Sequence, residues 1–378
     1  MGSLIEILHG GFDTYCEKFP SVPNAHIQAV KAILSCQNGE SGGHIYRCVS
    51  KNCSHEEFIP HSCGHRCCPK CRKRKQLEWK LTQKSLLLPV QYYHLVFTIP
   101  AGLRELSKCY KALFLDLLFK VSANVIKRFT SDTKWLGGKA AFMSFLHTWG
   151  DSLIWHPHIH ILMPAIALKN DDVVYPKNAN FLFPVHALSE VFKAEMLKAL
   201  RKALPQENIP YFHKKYKWVT YCEGVKKNKA QHVIDYLGKY FNRTAISEHR
   251  ILSYDNQTVS FSYRKERKGS QAKIESIMTL SLHEFLRRFL QHVPWKGMHR
   301  VRYYGFLHPS QKFTILRIQS QLCDLKFAKK ITFIKKLLNS FLHQKEIICP
   351  ECGRSMVICH TLTRRRQQIS QRAPPILC

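Results

Sequence analysis

The stretch WHPHIHILMP, Trp155 to Pro164, places His156, His158 and His160 at every second position ahead of a purely apolar run. Side chains alternate faces along a strand, so three such imidazoles share one face. IHILM is apolar on both faces beyond the histidines, which predicts a strand in the middle of a sheet. The run before it, KAAFMSFLHTWG (Lys139 to Gly150), is also strand-like, and Gly150 with Asp151 supplies a hairpin turn. Upstream, PVQYYHLVFTIP (Pro89 to Pro100) is aromatic, β-branched and bounded by prolines, and reads as a strand. GLRELSKCYKALFLDLLFKVSANVIKRF (Gly102 to Phe129) has its apolar positions at helical spacing. A strand, a long helix and a hairpin predict an α+β unit on a central, mainly antiparallel sheet flanked by helices. Three rings on one face suit a metal site, an acid–base cluster or plain packing.

Charge narrows the partner. The 378 residues carry 58 Lys and Arg against 26 Asp and Glu, a formal net charge of +32. The excess is scattered through RKRK (Arg72 to Lys75), KKNK (Lys226 to Lys229), YRKERK (Tyr263 to Lys268) and RRR (Arg364 to Arg366). Such a surface binds polyanions with strong salt dependence, through release of condensed counterions. DNA or RNA fits this scatter better than a membrane surface. The N-terminal MGSLIEILHGGFDTY has no basic leader or long apolar core, so no secretory signal is expected. The greasiest stretch, SLLLPVQYYHLVFTIPAGL, is broken by proline, glutamine and histidine and does not make a membrane span. A cytoplasmic protein, nucleoid-associated when bound to DNA, is expected.

Fifteen cysteines without a signal point to metal binding by reduced thiols. Seven of them crowd between Cys36 and Cys71, where Cys68 and Cys71 form a C-x2-C knuckle and Cys48 and Cys53 a C-x4-C pair. Zinc takes four thiolate or imidazole ligands, commonly as two such pairs. The expected set is therefore Cys48, Cys53, Cys68 and Cys71, with Cys36 and Cys63 as alternates or part of a second site. A reduced, metal-free cysteine cluster is the competing reading. RKRKQLEWKLTQK (Arg72 to Lys84) reads as a helix leaving the knuckle, with Arg72 and Arg74 placed to touch phosphate; a solvated helix face fits the same pattern.

Later, KAQHVIDYLGKYFNRTAISEHRI offers a helix with Tyr236 and Tyr240 on one face, and His232 one turn earlier. Lys239 and Arg243 flank the pair with positive charge. Taken alone, two tyrosines at this spacing pack into a core. Taken with a histidine strand they suggest single-strand DNA nicking. In that reading His158 and His160 hold a divalent ion, Mg2+ or Mn2+, that polarises the scissile phosphate. A phenol then attacks phosphorus and stays on the 5′ phosphate.

Ordered blocks along the chain resemble the rolling-circle insertion-sequence transposases of the IS91 type, a two-tyrosine branch of the HUH endonucleases. GGHIYRC, HSCGHRCCPKC and VQYYHLVFTIP resemble the family's zinc-binding region and first catalytic strand. LHTWGDSLIWHPHIHILMP is similar to its metal-binding strand, and YLGKYFNRTAISEHRI to its tyrosine helix. EFLRRFLQHVPWKGMHRVRYYGFL and CPECG complete the order. The resemblance implies His158 and His160 as the metal pair and Tyr236 and Tyr240 as nucleophiles. It implies an insertion element moved through a 5′-phosphotyrosine intermediate, with single-stranded DNA at the element's ends and target DNA as partners. HUH enzymes add a third polar ligand, for which His232, Gln231 and His147 are candidates. His156, bent aside by Pro157, is expected to be structural or to face substrate. Cys67 stands where relatives often carry histidine.

Three units are expected: a zinc-binding DNA-recognition domain over 1–84, an HUH two-tyrosine catalytic domain over 85–310, and a basic helical region over 311–378. In the last, Cys349 and Cys352 form a knuckle that Cys359 and His360 could complete as a small zinc ribbon. The runner-up function is a zinc-dependent nucleic-acid-binding regulator. A plasmid replication nickase would share the chemistry and differ in its role.

Overall fold

A computed structural model describes residues 3–178, 182–212, 218, 220–225, 234–235, 245–266, 273–343 and 347–363. His232, Tyr236, Lys239, Tyr240 and Arg243, assigned from sequence, lie outside these. The chain opens with helices α1 (Leu4–Lys18) and α2 (Asn24–Leu34), strands β1 (Gly42–Cys48) and β2 (Glu56–Pro60), and helix α3 (Pro69–Ser85). Ser3 and Glu6 start α1 with a reciprocal capping box. Strand β3 (Tyr92–Thr98) is followed by α4 (Arg104–Cys109), α5 (Lys111–Ser131), β4 (Lys139–Ala140), β5 (Phe142–Trp149) and β6 (Trp155–Pro164). Then come β7 (Ala167–Lys169), β8 (Asp172–Val174), α6 (Val185–Ala203), β9 (Thr220–Val225) and the meander β10 (Ile251–Tyr254), β11 (Thr258–Glu266) and β12 (Lys273–Ser281). The helix Leu282–Leu290, β13 (Val301–Tyr304), two helices over Lys312–Leu322 and Leu325–His343, β14 (Ile347–Ile348) and β15 (Ser355–Thr363) complete the described elements.

The expected α+β architecture holds, with an antiparallel central sheet ordered β13-β5-β6-β3-β9. The histidine strand β6 is its middle strand, as its two-faced apolarity requires. Pro157 is tolerated because pairing with β3 ends at Thr98↔His158 and pairing with β5 is irregular between His147 and Trp149. The β5–β6 turn is longer than a two-residue hairpin. It runs to Ile154, whose carbonyl accepts from Gly150, with Leu153 at φ +61°.

One face of the sheet is closed by α5 and α6. Phe114, Leu118, Phe192 and Met196 share a core with Phe97, Ile159 and Ile161. The helix expected over Gly102 to Phe129 breaks at Tyr110, which leaves helical backbone geometry. The break lets α4 sit against β6, where Ser107 Oγ accepts from Trp155 Nε1 at 2.8 Å. The opposite face carries His158 and His160 and is covered partly by α3. Trp79 stands edge-on to Phe145, centroids 5.6 Å apart, and donates to Tyr303 Oη at 2.8 Å. Ile331, on the helix Leu325–His343, joins the same cluster. The basic helical region expected from residue 311 divides near Asp324, whose carboxylate accepts from Phe327 N at 2.7 Å.

An N-terminal strand and a C-terminal strand meet. Strand β15 pairs antiparallel with β1, from Gly42↔Thr363 to Cys48↔Met356, in a sheet ordered β14-β15-β1-β2. The first and last of the expected units, 1–84 and 311–378, thus contribute strands to one sheet. Glycine at 42 permits it: φ is +81°, and a Cβ there would overlap the Leu362 carbonyl.

Candidate active site

Strand parity and register bring three imidazoles together. His158 and His160 project from the same face of β6, and His147 faces them from β5, where it pairs with His158. Their ligand atoms all lie within 4.8 Å of one another. Of the three candidates that sequence offered for a third ligand, His147 is the one among the described residues, and it stands beside the pair; His156 stands outside the cluster. His158 Nδ1 lies 2.7 Å from the His156 carbonyl, which can only accept, so Nδ1 carries the proton and Nε2 keeps its lone pair. His160 Nδ1 meets His94 Nε2 at 2.9 Å. Burial holds His160 well below the ordinary imidazole pKa and brings His94 to about 4, so both rings are neutral. His156 accepts from Arg104 Nη2 at 3.1 Å, and burial, with His158 and Arg104 nearby, lowers its pKa to about 4.

Three imidazoles whose ligand nitrogens gather this closely suit a divalent transition metal. They fit Mn2+ better than Mg2+, which prefers carboxylate and water oxygens. His94 was not picked out from sequence. Its signal was parity: Val96 pairs with His160, and residue 94 shares a strand face with residue 96.

Beside this face the thiols form two groups among the described residues: Cys36, Cys63, Cys68 and Cys71, and Cys48, Cys53, Cys349 and Cys352. The expected foursome of Cys48, Cys53, Cys68 and Cys71 is therefore split. Cys36 and Cys63, the alternates, complete the knuckle, because α2 ends at Leu34 and delivers Cys36 to the start of α3. Cys36 Sγ and Cys63 Sγ lie 3.5 Å and 3.6 Å from Cys71 Sγ. Zn–S bonds of about 2.3 Å place tetrahedral sulfurs about 3.8 Å apart, so this group fits zinc. Gly64 N donates to Cys71 Sγ at 3.2 Å and His65 N to Cys63 Sγ at 3.4 Å, the amide support expected of a knuckle. Cys67 is buried outside the set, against Arg300, Arg72 and Arg66.

Helix α3 links the parts. Cys68 caps it and Pro69 fills its first turn, so the knuckle holds one end. Trp79 lays its middle on the sheet, and Lys84 pairs with Asp235 at 2.8 Å near the other end. Ile234, next to Asp235, is 1% exposed and packs with Phe145 and Leu162 on the histidine face.

Two family models match the chain: "Transposase zinc-binding domain" over residues 7–99 and "Putative transposase" over 141–313. A protein of Sinorhizobium fredii, "Putative transposase y4qJ", is 32% identical over 314 residues, covering 78% of this chain and 77% of its own length. The chain belongs to the IS91-type transposases. The transposase of insertion sequence element IS801 from Pseudomonas savastanoi pv. phaseolicola is 30% identical over 295 residues, covering 74% of this chain and 70% of its own. No solved structure matches. No described helix is long and apolar enough to cross a membrane.

Cationic side chains of the transposase line two cavities that share Arg72 and Tyr303. A cavity of about 320 Å³ is lined by Arg66, Arg72, Arg300 and Tyr303. A second, of about 420 Å³, continues past Arg72 and Tyr303 to Lys75 and Trp79. Arg72, assigned to phosphate from sequence, is partly buried and donates from Nε to the Arg66 carbonyl at 2.8 Å. Burial lowers its pKa to about 10, with Arg300 adding to the fall. Arg74 is exposed.

Proposed function

We propose that this transposase nicks single-stranded DNA at the ends of its insertion element by tyrosine attack and rejoins the strand in rolling-circle-like transfer. The observation that carries the reading is the gathering of His147, His158 and His160 on one sheet face, with the chain at Ile234 and Asp235 docked on that face just before Tyr236. These imidazoles would hold Mn2+ or Mg2+; a bound divalent cation draws charge from a phosphoryl oxygen. The His156 carbonyl and His94 fix the ring orientations, so that Nε2 of His158 and of His160 points inward. Tyr236 or Tyr240 supplies the nucleophile. Its phenol oxygen gives up its proton and bonds to phosphorus, the bond from phosphorus to the 3′ oxygen breaks, and that oxygen takes up a proton and leaves as a 3′ hydroxyl. The ester keeps the bond energy for rejoining without ATP, and a second tyrosine permits a second linked cleavage. His232 becomes unnecessary as a ligand in this reading.

Cys36, Cys63, Cys68 and Cys71 would hold the zinc of the N-terminal unit and fix the start of α3. Arg74 on α3 would then meet DNA phosphate, joined by Lys239 and Arg243 beside the tyrosines.

The test is incubation of the protein with end-labelled single-stranded DNA of the element's ends and Mn2+. A covalent adduct that disappears in the Tyr236→Phe, Tyr240→Phe double variant is expected. Binding without an adduct under any divalent metal would overturn the proposal.

A further inference from the structure

We infer that the transposase carries a second structural zinc, held by Cys48 and Cys53 from the N-terminal unit and Cys349 and Cys352 from the C-terminal segment. Cys48 Sγ lies 3.3 Å from Cys352 Sγ, and Cys53 Sγ lies 3.7 Å from Cys349 Sγ. All four sulfurs fall within 4.8 Å of one another. Four thiols held this close suit a tetrathiolate ion with tetrahedral edges of about 3.8 Å. Backbone geometry supports the same ligands from both sides. Ser50 N donates to Cys48 Sγ at 3.4 Å. Across the site, Gly353 N donates to the Cys349 carbonyl at 2.9 Å and Cys349 N to the Arg354 carbonyl at 2.8 Å. Gly353 adopts φ +70°, the left-handed turn that closes a C-x2-C loop.

The local alternative, a ribbon completed by Cys359 and His360, is disfavoured by strand direction. Both residues lie along β15, which runs away from Cys349 beside β1. Cys359 Sγ instead approaches the Ile45 carbonyl at 3.3 Å.

The site is a clasp. Cys48 and Cys352 are 304 positions apart, so the ion closes a loop that contains the whole central sheet. It also holds the start of β15 at the Cys48 end of β1, where Cys48 pairs with Met356. The zinc-binding match ends at residue 99 and contains only half of these ligands. The clasp is independent of the nicking chemistry, and its test reads metal content rather than cleavage.

The experiment uses the full chain with His147, His158 and His160 changed to alanine, so that only thiol sites retain zinc. Metal is counted after thiol-reagent release. Two zinc ions per chain are expected, falling to one in Cys349→Ser, Cys352→Ser and staying at two in Cys359→Ser, His360→Ala. One zinc before any cysteine change, or loss of an ion in the second variant, would overturn the inference. A zinc X-ray absorption spectrum of the triple-histidine variant with all its cysteines gives a reading that needs no cysteine change. A pure sulfur shell is expected, and a nitrogen scatterer would favour the ribbon and sink the clasp. Amide exchange over 355–363 should quicken in the Cys349→Ser, Cys352→Ser chain; unchanged protection would count against the clasp as what secures β15.

Discussion

His94 and His160 meet ring to ring across β3 and β6, with Nε2 and Nδ1 2.9 Å apart and ring planes 6° from parallel. With a metal on His160 Nε2, Nδ1 would carry the proton and donate to His94. Such an outer partner fixes the tautomer and raises the ligand's basicity. His94→Phe should weaken Mn2+ binding by about 10-fold or more, and His94→Gln, which keeps an acceptor, by less. Titration calorimetry checks this; equal affinity in all three proteins would remove His94 from the site.

Trp79 joins α3 to the sheet by ring packing on Phe145 and a hydrogen bond to Tyr303. Trp79→Ala should cost about 3–5 kcal/mol of stability. Trp79→Phe retains the packing and should lose about 1 kcal/mol for the hydrogen bond. Urea unfolding of the zinc-loaded protein measures both. A loss under 1 kcal/mol for the alanine variant would mean that α3 is not anchored here.

His292 is buried, with Nε2 3.0 Å from the Leu153 carbonyl and Nδ1 3.1 Å from Thr148 Oγ1. The neutral ring satisfies both, and burial pushes its pKa down to about 3. A histidine pKa below its unfolded value of about 6.5 means that the unfolded chain binds the proton first. The stabilisation is full above that unfolded pKa and is lost as pH falls toward 3. His292→Gln should flatten the acid side of the stability curve by up to about 1.4 kcal/mol per pH unit. Thermal melts between pH 7 and 4.5 would show it, and parallel curves would refute it.

Arg72 and Arg74 are separated by their surroundings. Arg74→Ala should weaken single-stranded DNA binding and reduce the salt slope by about 0.7, the value of one phosphate contact. Arg72→Ala should act mainly on stability, because its guanidinium holds the Arg66 carbonyl beside the knuckle. Fluorescence titrations across a salt series, paired with melts, distinguish the two. Identical behaviour of the variants would contradict the assignment.

Sequence alone determined the elements whose signals are local. Period-two histidines placed His158 and His160 on one face, two-sided apolarity put β6 in the middle of its sheet, and thiol spacing identified a metal-binding region. Family resemblance added Tyr236 and Tyr240, which lie outside the described residues. Only the tertiary structure decided the partners. His147 reaches His158 through the register of β5 on β6, and His94 reaches His160 through β3. The four cysteines expected to share one ion were divided between two groups, because α2 delivers Cys36 to the knuckle and β15 brings Cys349 and Cys352 to Cys48. Spacing reports which ligands are near in the chain. Closing a long loop costs little more entropy than closing a short one, so the fold is free to choose distant ligands.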